Sequence, residues 1–258
     1  MRGLPRNFNT YTLIWADGCC LGWQTTSALR TSNAWPSGIH NLLKLIAFDC
    51  DGVLFDSRQA NTAFYDAILA HFGCSPLTPE DVDYVHSHTV WESLEHIFPS
   101  HPDLEEVLRF ARGFDYRPFI PMMVEEPHLR DFLKFLRPAC HTALATNRTT
   151  TTWAVLRHHG LEEYFDLVVS AQDVTRPKPH PEAFRRILAH FGLEPQQAIY
   201  IGDSRVDEEF AARAGVPLVA YRNPELDAAY YLDSFEAAPA LVLDLVAGKN
   251  PLKVRLKT

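Results

Sequence analysis

From residue 42 onward, short apolar runs alternate with amphipathic stretches. The runs at 45–48, 143–145, 167–169, 198–201 and 218–220 are bounded by polar or turn residues, as strands buried on both faces of a parallel sheet tend to be. Between them, apolar residues recur at helical spacing over 149–159, 181–191 and 204–214. Each of these stretches is followed by a glycine (Gly160, Gly192, Gly215), the usual left-handed helix stop, and Pro181 suits a first helical turn. Strand–helix–strand repetition of this kind predicts an α/β fold with a doubly wound parallel sheet.

One connection is too long for a simple crossover. Residues 57–140 separate the first predicted strand from the second, and they read as helical throughout. Ala60, Ala63, Phe64, Ala67, Ile68 and Phe72 share one helical face, with Gly73 as the stop. Thr78, Pro79, Glu80 and Asp81 combine a capping hydroxyl, a first-turn proline and two acids near the positive end of a helix dipole. Further helices are expected over 90–98, 102–114 and 128–135, the last returning to the sheet. Residues 1–41 differ from all of this, with few charges (Arg2, Arg6, Asp17, Arg30) and no sustained period. The expected division is an extension (1–41), a core (42–56 and 126–258) and an inserted helical cap (57–125).

Composition narrows the function classes. Lys and Arg total 24 against 32 Asp and Glu, a net charge of −8, so the surface lacks the cation excess that nucleic acid or an anionic membrane requires. The apolar run nearest the N-terminus, 11–16, is too short for a signal peptide or a membrane span. Five cysteines (Cys19, Cys20, Cys50, Cys74, Cys140) are an odd number with no C-x-x-C pair, which predicts a reduced, cytoplasmic chain rather than a disulfide scaffold.

Four polar clusters fall at or just after predicted strand ends, where open α/β sheets bind ligands. Asp49-Cys50-Asp51-Gly52 follows the first strand, and Thr146-Asn147 the second. Lys178 lies in Arg176-Pro177-Lys178-Pro179, and Gly202-Asp203-Ser204-Arg205-Val206-Asp207 follows the run at 198–201. In this order and spacing they resemble the haloacid dehalogenase (HAD) superfamily over about residues 44–245, in particular its phosphoglycolate phosphatase-like branch with a helical cap. The resemblance implies a Rossmannoid core and a Mg²⁺-dependent phosphatase that hydrolyses a small phosphorylated metabolite through an aspartyl phosphate. It implies Asp49 as nucleophile, Asp51 as general acid and base, and Thr146, Asn147 and Lys178 as contacts to the substrate. The implied Mg²⁺ ligands are Asp49, the Asp51 backbone carbonyl and Asp203, with Asp207 a second ligand or an orienting residue. The chemistry agrees: phosphoryl transfer needs an oxygen nucleophile, cations against phosphate charge and a proton donor for the leaving group.

Two alternatives stay open. A β-phosphoglucomutase-like sugar phosphomutase shares the scaffold, but Asn61 and Val90 stand where such relatives carry a His and an Arg. A catalytically silent phosphate-binding regulatory module would be expected to lose one of the acids retained here. Among the remaining polar candidates, Cys50 reads as a small packing residue. His86 and His88 read as a solvated loop, and Trp91 as cap core with Leu94 and Phe98. His158 and His159 suit a helix C-terminus, His180 a structural role, and Arg205 a helix surface as readily as a substrate contact.

Residues 1–41 are expected to be dispensable, because the resemblance begins at the first strand and Leu42–Leu43 stand where an initiating Met would precede it. Upstream sequence outside the native start, a flexible arm, or an element packed through Trp15, Trp23 and Trp35 are the readings of this segment. A chain starting at residue 42 should keep the activity and melting temperature of the full chain. A large loss of either would make the segment part of the fold.

Overall fold

The computed structural model describes residues 11–16, 19–25, 43–99, 102–137, 139–247 and 255–256. An antiparallel hairpin comes first, β1 (Tyr11–Ala16) and β2 (Cys19–Thr25). It is followed by β3 (Leu45–Phe48) and the short β4 (Phe55–Asp56). Four helices come next: α1 (Arg58–His71), α2 (Pro79–Ser87), α3 (Val90–Ile97) and α4 (Leu104–Gly113). A 3₁₀ segment (Arg117–Met122) leads to β5 (Val124–Glu125). The chain continues through α5 (Leu129–Leu136), β6 (His141–Ala145), α6 (Thr152–His158), β7 (Leu167–Val169) and α7 (Glu182–Phe191). It ends with β8 (Ala198–Gly202), α8 (Arg205–Ala214), β9 (Leu218–Tyr221), β10 (Tyr230–Leu232), α9 (Ala238–Val246) and β11 (Arg255–Leu256).

The main sheet is parallel, in the order β11-β10-β9-β8-β3-β6-β7. Strand β3 is its centre, flanked by β6 and β8, and every residue of β3 and β8 is buried. The two-residue side-chain period divides the core into two layers. Ile46 and Phe48 face one way, with Phe132, Leu133, Leu136, Leu241 and Val242 of α5 and α9. Leu45 and Ala47 face the other, with Phe184, Ile187 and Phe210 of α7 and α8. From β3 the chain passes outward to β6 and β7, then returns to β8 on the opposite side. The carboxyl end of β3 is therefore the switch point of the sheet, where a crevice opens.

The helical insert has a core of its own, built on Phe64, Ile68, Leu94, Phe98 and Val107. Its helices start where the local chemistry asks. Thr78 with Asp81, and Thr89 with Glu92, form reciprocal capping boxes on α2 and α3, each worth about 1 kcal/mol. The segments that leave and re-enter the sheet run side by side, since β4 pairs antiparallel with β5 and Phe55 lies opposite Glu125.

Three details differ from the sequence pattern. Helix α6 begins at Thr152 rather than at 149, because the residues after β6 are drawn into hydrogen bonds around Thr146 and Arg148. Trp91 is 44% exposed rather than part of the cap core. Leu94 and Phe98 turn inward from α3, and the Arg112 guanidinium covers the indole at 4.8 Å. Within the N-terminal segment, β1 and β2 pair as strands although their apolar residues do not alternate. The Asp17-Gly18 dipeptide between them is a hairpin signal that the period analysis passed over. The remainder of the expectation for 1–41 lies outside the described residues. Among the described residues no helix is long and apolar enough to cross a membrane.

Candidate active site

The connections that follow four neighbouring strands, β8, β3, β6 and β7, bring the polar clusters together. Asp49 follows β3, and its backbone N–H donates to the Ile201 carbonyl of β8 at 2.9 Å. Its carboxylate Oδ1 lies 2.7 Å from the Lys178 Nζ. The same ammonium reaches Asp207 Oδ1 at 2.8 Å and the Tyr200 hydroxyl at 2.9 Å. Lys178 is 5% exposed and Asp207 fully buried, so these charges stand out of water and are tolerable only as a set.

Asp207 is saturated with donors. Lys178 and Tyr200 donate to Oδ1, both at 2.8 Å. Ser204 Oγ at 2.6 Å, the Ser204 N–H at 3.2 Å and the Asp203 N–H at 3.3 Å donate to Oδ2. The last two come from the turn into α8, where Ser204 and Asp207 form a capping box. Asp203 is itself fixed through its backbone, whose carbonyl accepts from the Asn223 side chain at 2.7 Å.

Two glycines make the close approach possible. A Cβ on Gly52, which sits at φ +77°, would lie 2.0 Å from Asp203 Oδ2. A Cβ on Gly202 would lie 2.4 Å from the Asp207 Cβ. The loop after β3 and the end of β8 are thus packed backbone against carboxylate.

The electrostatics follow from burial. The carboxyl of Asp49 is pushed up to about 7, first by desolvation and then by the Asp207 charge, with Lys178 only partly opposing. That of Asp203 is also raised, by burial and by Asp207 and Asp49. Burial would raise Asp207 too, but Lys178 and the hydrogen bonds from Lys178, Ser204 and Tyr200 hold it below its ordinary value. Burial works against the Lys178 charge, yet Asp207 and Asp49 keep it firmly protonated. A site with two carboxylates pushed upward is short of positive charge. Among the described residues, Asp49, Asp203 and Asp207 form the group whose oxygens converge closely enough for a metal ion, within 4.8 Å of one another. His86 and His88 do not belong to it.

Asp51 points away from that cluster. Arg148 grips both its oxygens, Nε to Oδ2 and Nη2 to Oδ1, each at 2.7 Å. Burial would raise the Asp51 carboxyl, but this fork and a hydrogen bond from Ser57 hold it below the usual range. The Arg148 guanidinium also stacks 4.7 Å over the Tyr116 ring and donates to its hydroxyl at 3.2 Å. Tyr116 donates to Asn61 Oδ1 at 2.7 Å, and Asn61 donates to Ser57 Oγ at 3.3 Å. A closed polar ring therefore ties Asp51 to both ends of the helical insert.

Thr146 is buried after β6, and its hydroxyl accepts the Arg148 N–H at 3.0 Å. Asn147 is committed at both ends of its amide to the Lys178 backbone, at 2.9 and 3.0 Å. It braces the lysine loop, with one side-chain N–H of its amide not used in these two bonds. Arg205 pairs with Glu208 on the surface of α8. Cys50 is fully buried in the core, in keeping with a packing role. His88 bonds the Tyr84 carbonyl through Nδ1 and stacks on the Tyr84 ring. His86 is half-buried rather than solvated, and lines a cavity of about 330 Å³ together with Gly52, Arg58, Asp203 and Arg222.

Arg148 and Tyr200 escaped the sequence reading. Arg148 follows Thr146-Asn147 directly, and Tyr200 carries the one hydroxyl in the run 198–201. A buried tyrosine in an apolar strand must find a polar partner, and that was the available signal.

The family model for haloacid dehalogenase-like hydrolases matches residues 46–221. The phosphoglycolate phosphatase 1 of Pseudomonas aeruginosa is 30% identical over 227 residues, covering 83% of this chain and 80% of its own. The pyrophosphatase PpaX of Bacillus velezensis is 29% identical over 172 residues, 66% of this chain and 79% of its own. Among solved structures, a HAD-superfamily hydrolase of subfamily IA from Geobacter sulfurreducens superimposes with a TM-score of 0.69 at 41% identity, covering 79% of this chain and 98% of that one.

The contact at Gly52 makes a direct prediction. Gly52→Ala should displace the Asp203 carboxylate and strain a left-handed turn, abolishing most activity while the far side of the sheet stays intact. Activity and a crystal structure of the variant check it; wild-type turnover would mean that Asp203 is not needed where it stands.

Proposed function

The chain belongs to the haloacid dehalogenase-like hydrolases, and on that premise we propose that it hydrolyses a small phosphorylated metabolite through an aspartyl phosphate on Asp49. It is a phosphoric monoester hydrolase. The observation that carries the finer reading is the Lys178 ammonium, held 2.7 Å from one oxygen of a buried carboxylate whose other oxygen is left to act. Asp49 attacks phosphorus and the ester P–O bond breaks. Asp51 supplies a proton to the departing alkoxide, then takes one from the water that attacks the acyl phosphate and releases Asp49. Lys178 and the Thr146 hydroxyl offset charge on the transferring oxygens. Asp51 can serve only when the Arg148 fork opens, and the helical insert, acting as a cap, is the element tied to that fork through Tyr116.

The converging hard oxygens and the upward-pushed Asp49 and Asp203 fit a small divalent cation, and Mg²⁺ matches that donor set. Asp49 and Asp203 would hold it with the Asp51 backbone carbonyl. Asp207 has no lone pair to spare and orients Lys178 instead. Bound there, Mg²⁺ supplies positive charge that lets a phosphate dianion approach the carboxylates. The phosphomutase reading draws no support, since Asn61 is occupied between Tyr116 and Ser57 and Val90 is exposed.

Asp49→Asn should lower phosphate release by roughly a thousandfold or more without unfolding the protein, because an amide cannot form the acyl phosphate. Phosphate release across a panel of phosphorylated metabolites tests it, and a variant retaining more than a few per cent of activity would exclude covalent catalysis. A second expectation concerns pH. The folded Asp49 carboxyl lies near 7, above its ordinary 3.8. Its protonation thus stabilises the metal-free fold at low pH, a contribution lost as pH rises through about 7. Metal must displace that proton, so the thermal shift on adding Mg²⁺ should grow from about pH 5.5 to about pH 7.5 and then level off. A shift independent of pH would remove Asp49 from the metal site.

A further inference from the structure

We infer that Tyr200 is a positioning residue for phosphoryl transfer, whose hydroxyl fixes the Lys178 ammonium against Asp49. The inference rests on the reading of Asp49 as nucleophile and adds a residue to it. A lysine ammonium is a point charge on a flexible stem with three N–H donors, and its aim depends on where those donors are anchored. All three are used here: Asp49 Oδ1 at 2.7 Å, Asp207 Oδ1 at 2.8 Å and the Tyr200 hydroxyl at 2.9 Å. The two carboxylates pull the ammonium in different directions. Tyr200, reaching up from the floor of the sheet on β8, is the third leg and sets the balance between them.

The hydroxyl has a second effect. It donates to the same Asp207 Oδ1 that Lys178 uses, at 2.8 Å, and lies 3.2 Å from the Ala145 carbonyl. By sharing that oxygen, Tyr200 weakens the hold of Asp207 on Lys178. Without the hydroxyl, one ammonium N–H is left unpaired in a buried site and Asp207 becomes the stronger acceptor. The ammonium then moves toward Asp207 and away from Asp49. The ring itself is locked, with Phe184 and Phe210 at centroid distances of 5.7 and 5.1 Å. Burial and the Asp207 charge keep the phenol neutral, so it remains a donor across the working range.

Tyr200→Phe removes the oxygen and keeps the ring. It should lower kcat by about 10–100-fold, the range for outer-shell partners that orient an active group, while KM changes by less than about threefold. The variant still folds, with a melting temperature lower by several degrees because a buried ammonium N–H loses its acceptor. In a double-mutant cycle, adding Tyr200→Phe to Asp207→Asn should cost much less than it does in the wild type, because both act through the same ammonium. A wild-type kcat for Tyr200→Phe, full additivity with Asp207→Asn, or a variant that cannot fold would each overturn the inference, the last by making the hydroxyl a folding requirement. Asp49→Asn serves as the parallel control. If it is inactive while Tyr200→Phe is unimpaired, only this inference fails; if it is active, the covalent reading fails with it.

Discussion

Everything in the site depends on one buried ammonium placed between two carboxylates. Asp49 and Asp207 lie out of water, and each makes the other costlier to ionise. Lys178 allows both to remain where the chemistry needs them. That requirement shapes the surrounding chain: Asn147 clasps the lysine loop, Ser204 and two backbone N–H groups saturate Asp207, and Tyr200 fills the remaining N–H of the ammonium. A buried charged network is stable only when every member is satisfied, so positions that look incidental become obligatory.

The two acids of the loop after β3 are treated in opposite ways. Asp49 is pushed upward in a crowd of like charges, whereas Asp51, two residues on, is held ionised by a bidentate arginine. The two differ because their partners differ: Asp51 meets Arg148, from the loop after β6, whereas Asp49 meets Lys178 and the Asp207 charge. The ring through Arg148, Tyr116, Asn61 and Ser57 then joins the acid to the segments that begin and end the helical insert. Asp51 is thus joined to the helical insert by direct contacts rather than by a longer path through the core.

Much of this was legible along the chain. Strands β3 and β8 stand out because a strand covered on both faces must be apolar throughout, and the helix stops and capping residues announce themselves locally. The polar clusters were findable because the sheet places them at strand ends, a rule about topology that converts sequence order into spatial proximity. Arg148 and Trp91 show the limit. An arginine next to a motif and a tryptophan at helical spacing have the same local pattern whether they are buried or exposed. Which outcome occurs is set by Tyr116 and Asp51 in one case, and by Arg112 in the other.

The sequence alone determined the class of sheet, the helical insertion after the first strand, and the identity of the residues available for phosphoryl chemistry. These depend on periodicity, turn chemistry and order, which are properties of neighbours along the chain. The tertiary structure alone decided which carboxylate is pushed up and which is held down, that Asp207 faces a lysine and a tyrosine, and that Asn147 braces a loop. These depend on burial and on partners brought in from distant strands, and the free energy of a charge is set by the groups that surround it in space.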